Sequence, residues 1–140
     1  MIVLDSGGLY AFLDTDDADH EAASAAIDAS PGPFVLTPFV LAEVDYLVQR
    51  RLGVAAECAF LDDVDTGIYT LSPFSDDDLS QAVSVVKQYS SLGIGLTDAS
   101  VVVIAGRFRT VDLLSLDERH FRAIKPLRGG KAFRLLPYDR

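Results

Sequence analysis

Short apolar runs alternate with longer amphipathic segments along the whole chain. The apolar runs, bounded by Pro, Gly or polar residues, predict strands at 2–4, 34–36, 68–71, 113–114 and 132–136. The segments between them predict helices at 7–14, 16–29, 38–52, 54–65, 75–90 and from 97 or 98 to about 106. Strands alternating with helices predict an α/β fold, a three-layer α/β/α arrangement around a central parallel sheet of four to five strands.

The length of 140 residues is enough for one domain with its own core, so residues 1–140 are predicted to form a single domain. No apolar run approaches the roughly 18 residues that cross a membrane, and no secretory signal pattern opens the chain. Cys58 is the single cysteine, which excludes an internal disulfide. A chain of this kind is expected in the reducing cytoplasm.

Charge is distributed unevenly along the chain. The net charge is −9, and residues 1–49 contain nine acids but no Lys or Arg, whereas residues 119–140 hold seven of the twelve basic residues. An acidic surface repels nucleic acid unless cations or a basic partner intervene. Charge alone therefore argues against a nucleic-acid enzyme, and any such function must depend on particular carboxylates.

Two acids follow predicted strands. Asp5 ends the first strand, and Asp117 comes shortly after the fourth. In sheets of this kind ligands bind beyond the carboxyl ends of the strands, so both side chains are placed where a site is expected. The competing explanation for each is that the carboxylate caps the helix that follows.

Two more acids lie on apolar stripes of predicted helices. Glu43 is four residues from both Phe39 and Leu47, so it is expected to face the sheet, and the first 49 residues offer no basic partner for it there. Asp98 precedes the stripe of Val101 and neighbouring apolar residues, although capping of that helix by residue 97 or 98 is an equal alternative.

The four acids together predict a divalent cation site. Clustered carboxylates without basic partners repel one another, and Mg²⁺ or Mn²⁺ resolves this because both ions prefer oxygen ligands. Such ions can activate water for attack on phosphorus. One Cys and two distant His residues do not provide a usual zinc site.

At these residues the sequence resembles the PIN domain, specifically the VapC-type toxin nucleases of bacteria. The resemblance covers essentially the whole chain and is carried by four short motifs: Ile2-Val3-Leu4-Asp5-Ser6, Thr37-Pro38-Phe39-Val40-Leu41-Ala42-Glu43-Val44, Leu96-Thr97-Asp98-Ala99-Ser100 and Leu114-Ser115-Leu116-Asp117-Glu118-Arg119-His120-Phe121. It implies that Asp5, Glu43, Asp98 and Asp117 are the metal ligands and catalytic residues. It also implies supporting hydroxyls at Ser6 and Ser115, the latter replacing the Thr that is more common in the family.

The resemblance implies an endoribonuclease toxin that hydrolyses RNA phosphodiester bonds through metal-activated water, with Mg²⁺ or Mn²⁺ as cofactor. It further implies a homodimer and a cognate VapB-type antitoxin that covers the acidic site. The alternative is a catalytically silent PIN-like module that binds RNA or protein; a phosphoryl-accepting receiver domain is disfavoured because its adjacent acids and late Lys are missing. RNA contacts are expected at Arg50, Arg51 and the basic C-terminal stretch, and His120 is expected to be structural or close to the scissile phosphate.

Overall fold

The computed structural model describes residues 1–139. Five strands and seven α-helices alternate along this part of the chain, and a short 3₁₀ helix at Ser90–Leu92 precedes α6. In chain order the elements are β1 (Ile2–Leu4), α1 (Ser6–Leu13), α2 (His20–Asp28), β2 (Phe34–Leu36), α3 (Pro38–Leu52), α4 (Val54–Asp65), β3 (Thr70–Leu71), α5 (Asp76–Gln88), α6 (Leu96–Arg107), β4 (Asp112–Leu114), α7 (Glu118–Phe121) and β5 (Arg134–Leu136).

The strands form one parallel sheet in the order β3-β2-β1-β4-β5. Helices flank the sheet, so the predicted α/β fold class is confirmed. The chain builds β2 and β3 on one side of β1 and then returns to build β4 and β5 on the other. The order therefore reverses between β1 and β4, and in such sheets the crevice beyond the carboxyl ends of these two strands is the usual ligand site.

Helix α3 shows why the sequence folds as predicted on this side of the sheet. Thr37 caps the helix by accepting a hydrogen bond from the Val40 N–H at 3.1 Å, and Pro38 occupies the first helical position. Val40, Val44 and Val48 lie four residues apart and are fully buried. Each contributes roughly 1.5–3 kcal/mol by leaving water, so this stripe holds the helix in place.

Glycine allows α1 to lie unusually close to β4. A Cβ atom on Gly8 would be 2.5 Å from the carbonyl oxygen of Leu114. The Asp5 N–H also donates to the Leu114 carbonyl, at 2.9 Å. The start of α1 is therefore fixed beside the carboxyl end of β4, which brings the segments after β1 and β4 together.

Except for α2, the starts of the predicted helices differ from those in the structure by no more than two residues. Helix α2 begins at His20 and not at residue 16, because the Asp14 and Asp17 carboxylates accept hydrogen bonds from backbone N–H groups two residues later and form turns. Helix α6 begins at Leu96 with Gly95 as its N-cap. Strands β3 and β5 are each shorter than predicted by two residues. Within residues 1–139, no helix is both long and apolar enough to cross a membrane.

Candidate active site

All four predicted acids line one cleft at the carboxyl edge of the sheet, beyond β1 and β4. The cleft has a volume of about 430 Å³, and its lining consists of Asp5, Ser6, Gly7, Glu43, Asp98, Leu116 and Asp117. Each acid comes from a different segment: the end of β1, α3, α6 and the loop after β4. The fold thus gathers carboxylates that are far apart in sequence, and their role as metal ligands stays a prediction.

Asp5 is the deepest of the acids. Its carboxylate is buried and accepts a hydrogen bond from the Ser115 hydroxyl at 2.9 Å. Burial, followed by the nearby Asp98 carboxylate, raises the pKa of Asp5 to about 7, and the Ser115 hydroxyl only partly opposes this. The structure therefore holds a carboxylate at a place where its negative charge is poorly compensated.

Asp98 and Asp117 meet at the ring of His120. The His120 Nδ1 is 2.8 Å from Asp117 Oδ2 and 3.4 Å from Asp98 Oδ2. Burial, and then the Asp117 carboxylate, raise the pKa of Asp98. Asp98 is the third residue of α6, and the N-cap is Gly95, so neither residue 97 nor residue 98 is the N-cap that was expected. A backbone hydrogen bond from Gly95 partly opposes the rise in the pKa of Asp98. Asp117 does cap α7, accepting the His120 N–H at 3.0 Å, while it lines the cleft.

Glu43 is not where the apolar pattern placed it. Its side chain is exposed at the rim of the cleft and does not face the sheet. Phe39 and Leu47, which suggested a buried position for Glu43, are only partly buried, and the buried stripe lies along Val40 and Val44. The desolvation expected for Glu43 therefore does not occur, although the residue still reaches the cleft.

The two predicted hydroxyl residues are both buried beside the acids. Besides donating to Asp5, Ser115 Oγ accepts a hydrogen bond from the Asp117 N–H at 3.0 Å, so it joins two of the acidic segments. Ser6 Oγ is buried without a hydrogen-bond partner among residues 1–139. Ser115 thus contacts two of the acidic segments and Ser6 lines the cleft at the start of α1, and the supporting role of both hydroxyls stays a prediction.

The basic residues predicted to contact RNA differ in their surroundings. Arg50 and Arg51 are both exposed, but the Arg51 guanidinium also lies over the Tyr10 ring, with its carbon 5.1 Å from the ring centroid. In the C-terminal stretch, Arg122 is paired with Glu118 and Asp139, and Arg134 is paired with Asp112. Two of the basic residues in that stretch are therefore partly neutralised within the chain.

His120 is the residue whose role the sequence pattern missed. Its backbone N–H and its ring both contact the Asp117 carboxylate, and the ring also approaches Asp98. A His three residues after a strand-end acid, at the start of a short helix, is placed to make these contacts. That spacing could have identified it, but helix α7 was not predicted.

The chain matches a known protein family and a curated relative over most of its length. The family model described as the PIN domain matches residues 2–126. Ribonuclease VapC26 of Mycobacterium tuberculosis is 40% identical over 136 residues, which cover 97% of this chain and all of that protein.

Solved structures share the fold at lower identity. The Mycobacterium tuberculosis toxin VapC20, described as cleaving the sarcin-ricin loop, is 19% identical with a TM-score of 0.80, covering 91% of this chain and 99% of that one. A toxin–antitoxin complex from Klebsiella pneumoniae is 16% identical with a TM-score of 0.70, again covering 91% and 99% of the two chains.

Proposed function

Because the chain belongs to the PIN domain family, we propose that it is a metal-dependent endoribonuclease toxin, neutralised by a cognate antitoxin. The observation that carries the proposal is the convergence of Asp5, Glu43, Asp98 and Asp117 on one cleft. Its ribonuclease character is supported by a curated ribonuclease that aligns along nearly the whole chain.

The donor set of the cleft suits a hard divalent cation. Asp5, Asp98 and Asp117 offer carboxylate oxygens, and within residues 1–139 no Lys or Arg forms an ion pair with any of them. Burial and then neighbouring carboxylates raise the pKa of Asp5 and of Asp98, so an added positive charge would favour their ionised forms. Mg²⁺ or Mn²⁺ would supply it, because both prefer oxygen ligands.

Different side chains of the cleft would bind the ion, orient its ligands and bind the phosphate. Asp5, Asp98 and Asp117, with Glu43 from the rim, would hold the ion, and Ser115 would keep Asp5 oriented toward it. Ser6 and Gly7 line the cleft at the start of α1, where the helix dipole favours an anion such as a phosphate. When bound, the ion supplies positive charge to the phosphate and activates a water molecule.

The proposal is tested by incubating the purified protein with RNA in Mg²⁺, in Mn²⁺ and in EDTA. We expect cleavage with either metal and none in EDTA, because the proposed reaction depends on a metal-activated water. The new RNA ends should carry 5′-phosphate and 3′-hydroxyl groups, as the family resemblance implies. Equal cleavage in EDTA would exclude the metal mechanism, and tight RNA binding without cleavage would favour the silent binding module.

The partner proposals follow from charge and from the structural neighbours. A cleft lined by four acids attracts a basic peptide, so we propose that an Arg-bearing segment of the antitoxin covers it. A structural neighbour that is itself a toxin–antitoxin complex supports a partner of this class. A homodimer remains the expectation given by the family resemblance.

We propose that RNA phosphates contact Arg50 and Arg51 at the end of α3. Arg50 lies seven residues, or about two turns, after Glu43, so both side chains occupy nearly the same face of the helix. Tyr46 lies between them on that face and is 57% exposed. An RNA strand leaving the cleft along this face would meet Arg50 first.

Replacing Arg50 and Arg51 with Glu should weaken RNA binding and flatten its salt dependence, because fewer counterions are released. The Arg50→Glu change alone should reduce the slope by about one without lowering the melting temperature. The measurement is RNA affinity between low and high salt in an Asp98→Asn background, in which we expect cleavage to be strongly slowed. Lys87→Glu is the matched control for the Arg50→Glu single variant, since it makes the same charge change in the last turn of α5. An equal effect of the two single variants would overturn the proposed RNA path.

A further inference from the structure

The His120 ring lies between two of the acids that the proposed function assigns to the metal. Its Nδ1 is 2.8 Å from Asp117 Oδ2 and 3.4 Å from Asp98 Oδ2. Asp117 comes from the loop after β4, whereas Asp98 comes from α6 on a different part of the chain. His120 is therefore the side chain that connects these two acidic segments.

The contacts of His120 fix the Asp117 carboxylate at both oxygens. The His120 backbone N–H donates to Oδ1 at 3.0 Å, and the ring Nδ1 lies at hydrogen-bond distance from Oδ2. Since a carboxylate only accepts, Nδ1 carries the proton in this contact and donates it. Rotation of the Asp117 side chain would break one or both bonds, so its carboxylate is held in one orientation.

We propose that His120 is a positioning residue for the metal site, which fixes Asp117 and holds it beside Asp98 so that both can bind one divalent cation. This inference rests on the proposed function, since it assumes that the acids bind metal. Groups that hydrogen-bond to metal-binding carboxylates and orient them typically account for 10- to 100-fold in metal affinity. The ligand atoms of Asp98, Asp117 and His120 all lie within 4.8 Å of one another, so the ring could itself bind an ion. Because its Nδ1 is engaged by Asp117, the inference assigns it the positioning role, in which it acts through that carboxylate.

The geometry defines which substitutions separate this role from a merely structural one. Asn places its side-chain N–H₂ at the position of Nδ1, whereas Gln places it near the position of Nε2. His120→Asn should therefore retain the bond to Asp117, and His120→Gln and His120→Leu should lose it. His20 offers a matched control, because its ring contacts the Ala11 carbonyl and the Ser24 hydroxyl, neither of which lines the cleft.

The test is calorimetric titration of Mn²⁺ into the metal-free wild type, His120→Asn, His120→Gln, His120→Leu and His20→Asn. We expect the dissociation constant to rise at least tenfold in the Gln and Leu variants and to stay within about threefold of wild type in His120→Asn and His20→Asn. The melting temperature of each variant in EDTA shows whether it is folded. Equal Mn²⁺ affinity in a folded His120→Leu variant would overturn the inference while leaving the proposed function intact.

Pulsed electron paramagnetic resonance of the Mn²⁺-loaded protein provides the second readout. The positioning role predicts no strong ¹⁴N coupling to the ion in the wild type, because the ring does not bind it. Strong coupling that disappears in His120→Leu would make His120 a metal ligand and overturn the inference. If the wild type binds no Mn²⁺ at all, it is the metal proposal itself that fails.

Discussion

Replacing Asp98 with Asn should lower the rate of RNA cleavage by about a thousandfold while leaving the protein folded. The carboxylate lies beside Asp117 in the cleft, and removing its charge weakens the site that would hold the ion. A metal ion contributes several kcal/mol of charge stabilisation to phosphoryl transfer, and each 1.36 kcal/mol corresponds to tenfold in rate. The loss should appear in the rate constant under saturating RNA.

Asp77→Asn is the matched control for this variant. Asp77 also lies in the first turn of a helix, so its substitution removes the same charge and the same favourable helix-dipole interaction, but it does so outside the cleft. Its cleavage rate should equal that of the wild type. A rate for Asp98→Asn within a few-fold of wild type would show that the acid cluster is not the catalytic centre.

The second large effect concerns the stability of the metal-free protein. In EDTA at pH 8, Asp98→Asn should melt several degrees higher than the wild type, because the substitution removes a charge that the fold compensates poorly. Burial and like charges raise the pKa of Asp98, and the Asp98 charge is the second-largest cause of the raised pKa of Asp5. The single substitution therefore removes the partly buried charge at Asp98 and its repulsion of the Asp5 carboxylate.

The direction of the pH dependence follows from those pKa values. Asp5 has a folded-state pKa of about 7 against an ordinary value of 3.8, so the folded state holds more protons between these values. The free energy of unfolding therefore falls as pH rises from about 4 to about 7, and the full loss, about 4 kcal/mol for Asp5, remains above that range. Near pH 4 most of this loss disappears.

Thermal melts of the wild type and Asp98→Asn at pH 4 and pH 8 measure this effect. The variant's advantage should be present at pH 8 and mostly lost at pH 4, and each kcal/mol should change the melting temperature by about 4 °C. Adding Mg²⁺ or Mn²⁺ at pH 8 should stabilise the wild type more than the variant, because the variant binds the ion less tightly. A variant less stable than wild type in EDTA at pH 8 would mean that Asp98 mainly anchors α6.

Sequence pattern was sufficient for the sheet and for most of the helices. The short apolar runs at 2–4 and 34–36 are typical of strands inside a parallel sheet that is covered on both faces. Thr37 and Pro38 define the start of α3 by capping, and Gly53 defines its end with a positive φ. The hydrophobic pattern gave a wrong helix start where side chains compete with the helix for backbone N–H groups, as between Asp14 and Asp19. Local hydrogen bonds of that kind leave no trace in hydrophobic periodicity.

The acids of the site could be selected from sequence, but their surroundings could not. Asp5 and Asp117 were identified by their positions after strands, which depend only on the order of elements. The orientation of Glu43 was wrong because two partly buried residues were taken to mark the buried face of α3. The contact of His120 with Asp98 joins residues from separate segments, and only the folded structure reveals it.

The most direct test of the proposed metal site is to locate the bound metal ion in a crystal. Crystals of the wild-type protein soaked in Mn²⁺ should give an anomalous difference peak among the carboxylates of Asp5, Asp98 and Asp117, and the same experiment on Asp98→Asn should give a weaker peak or none. A peak of full strength in the variant, or Mn²⁺ bound only outside this cleft in protein that cleaves RNA, would contradict the assignment of these acids to the metal.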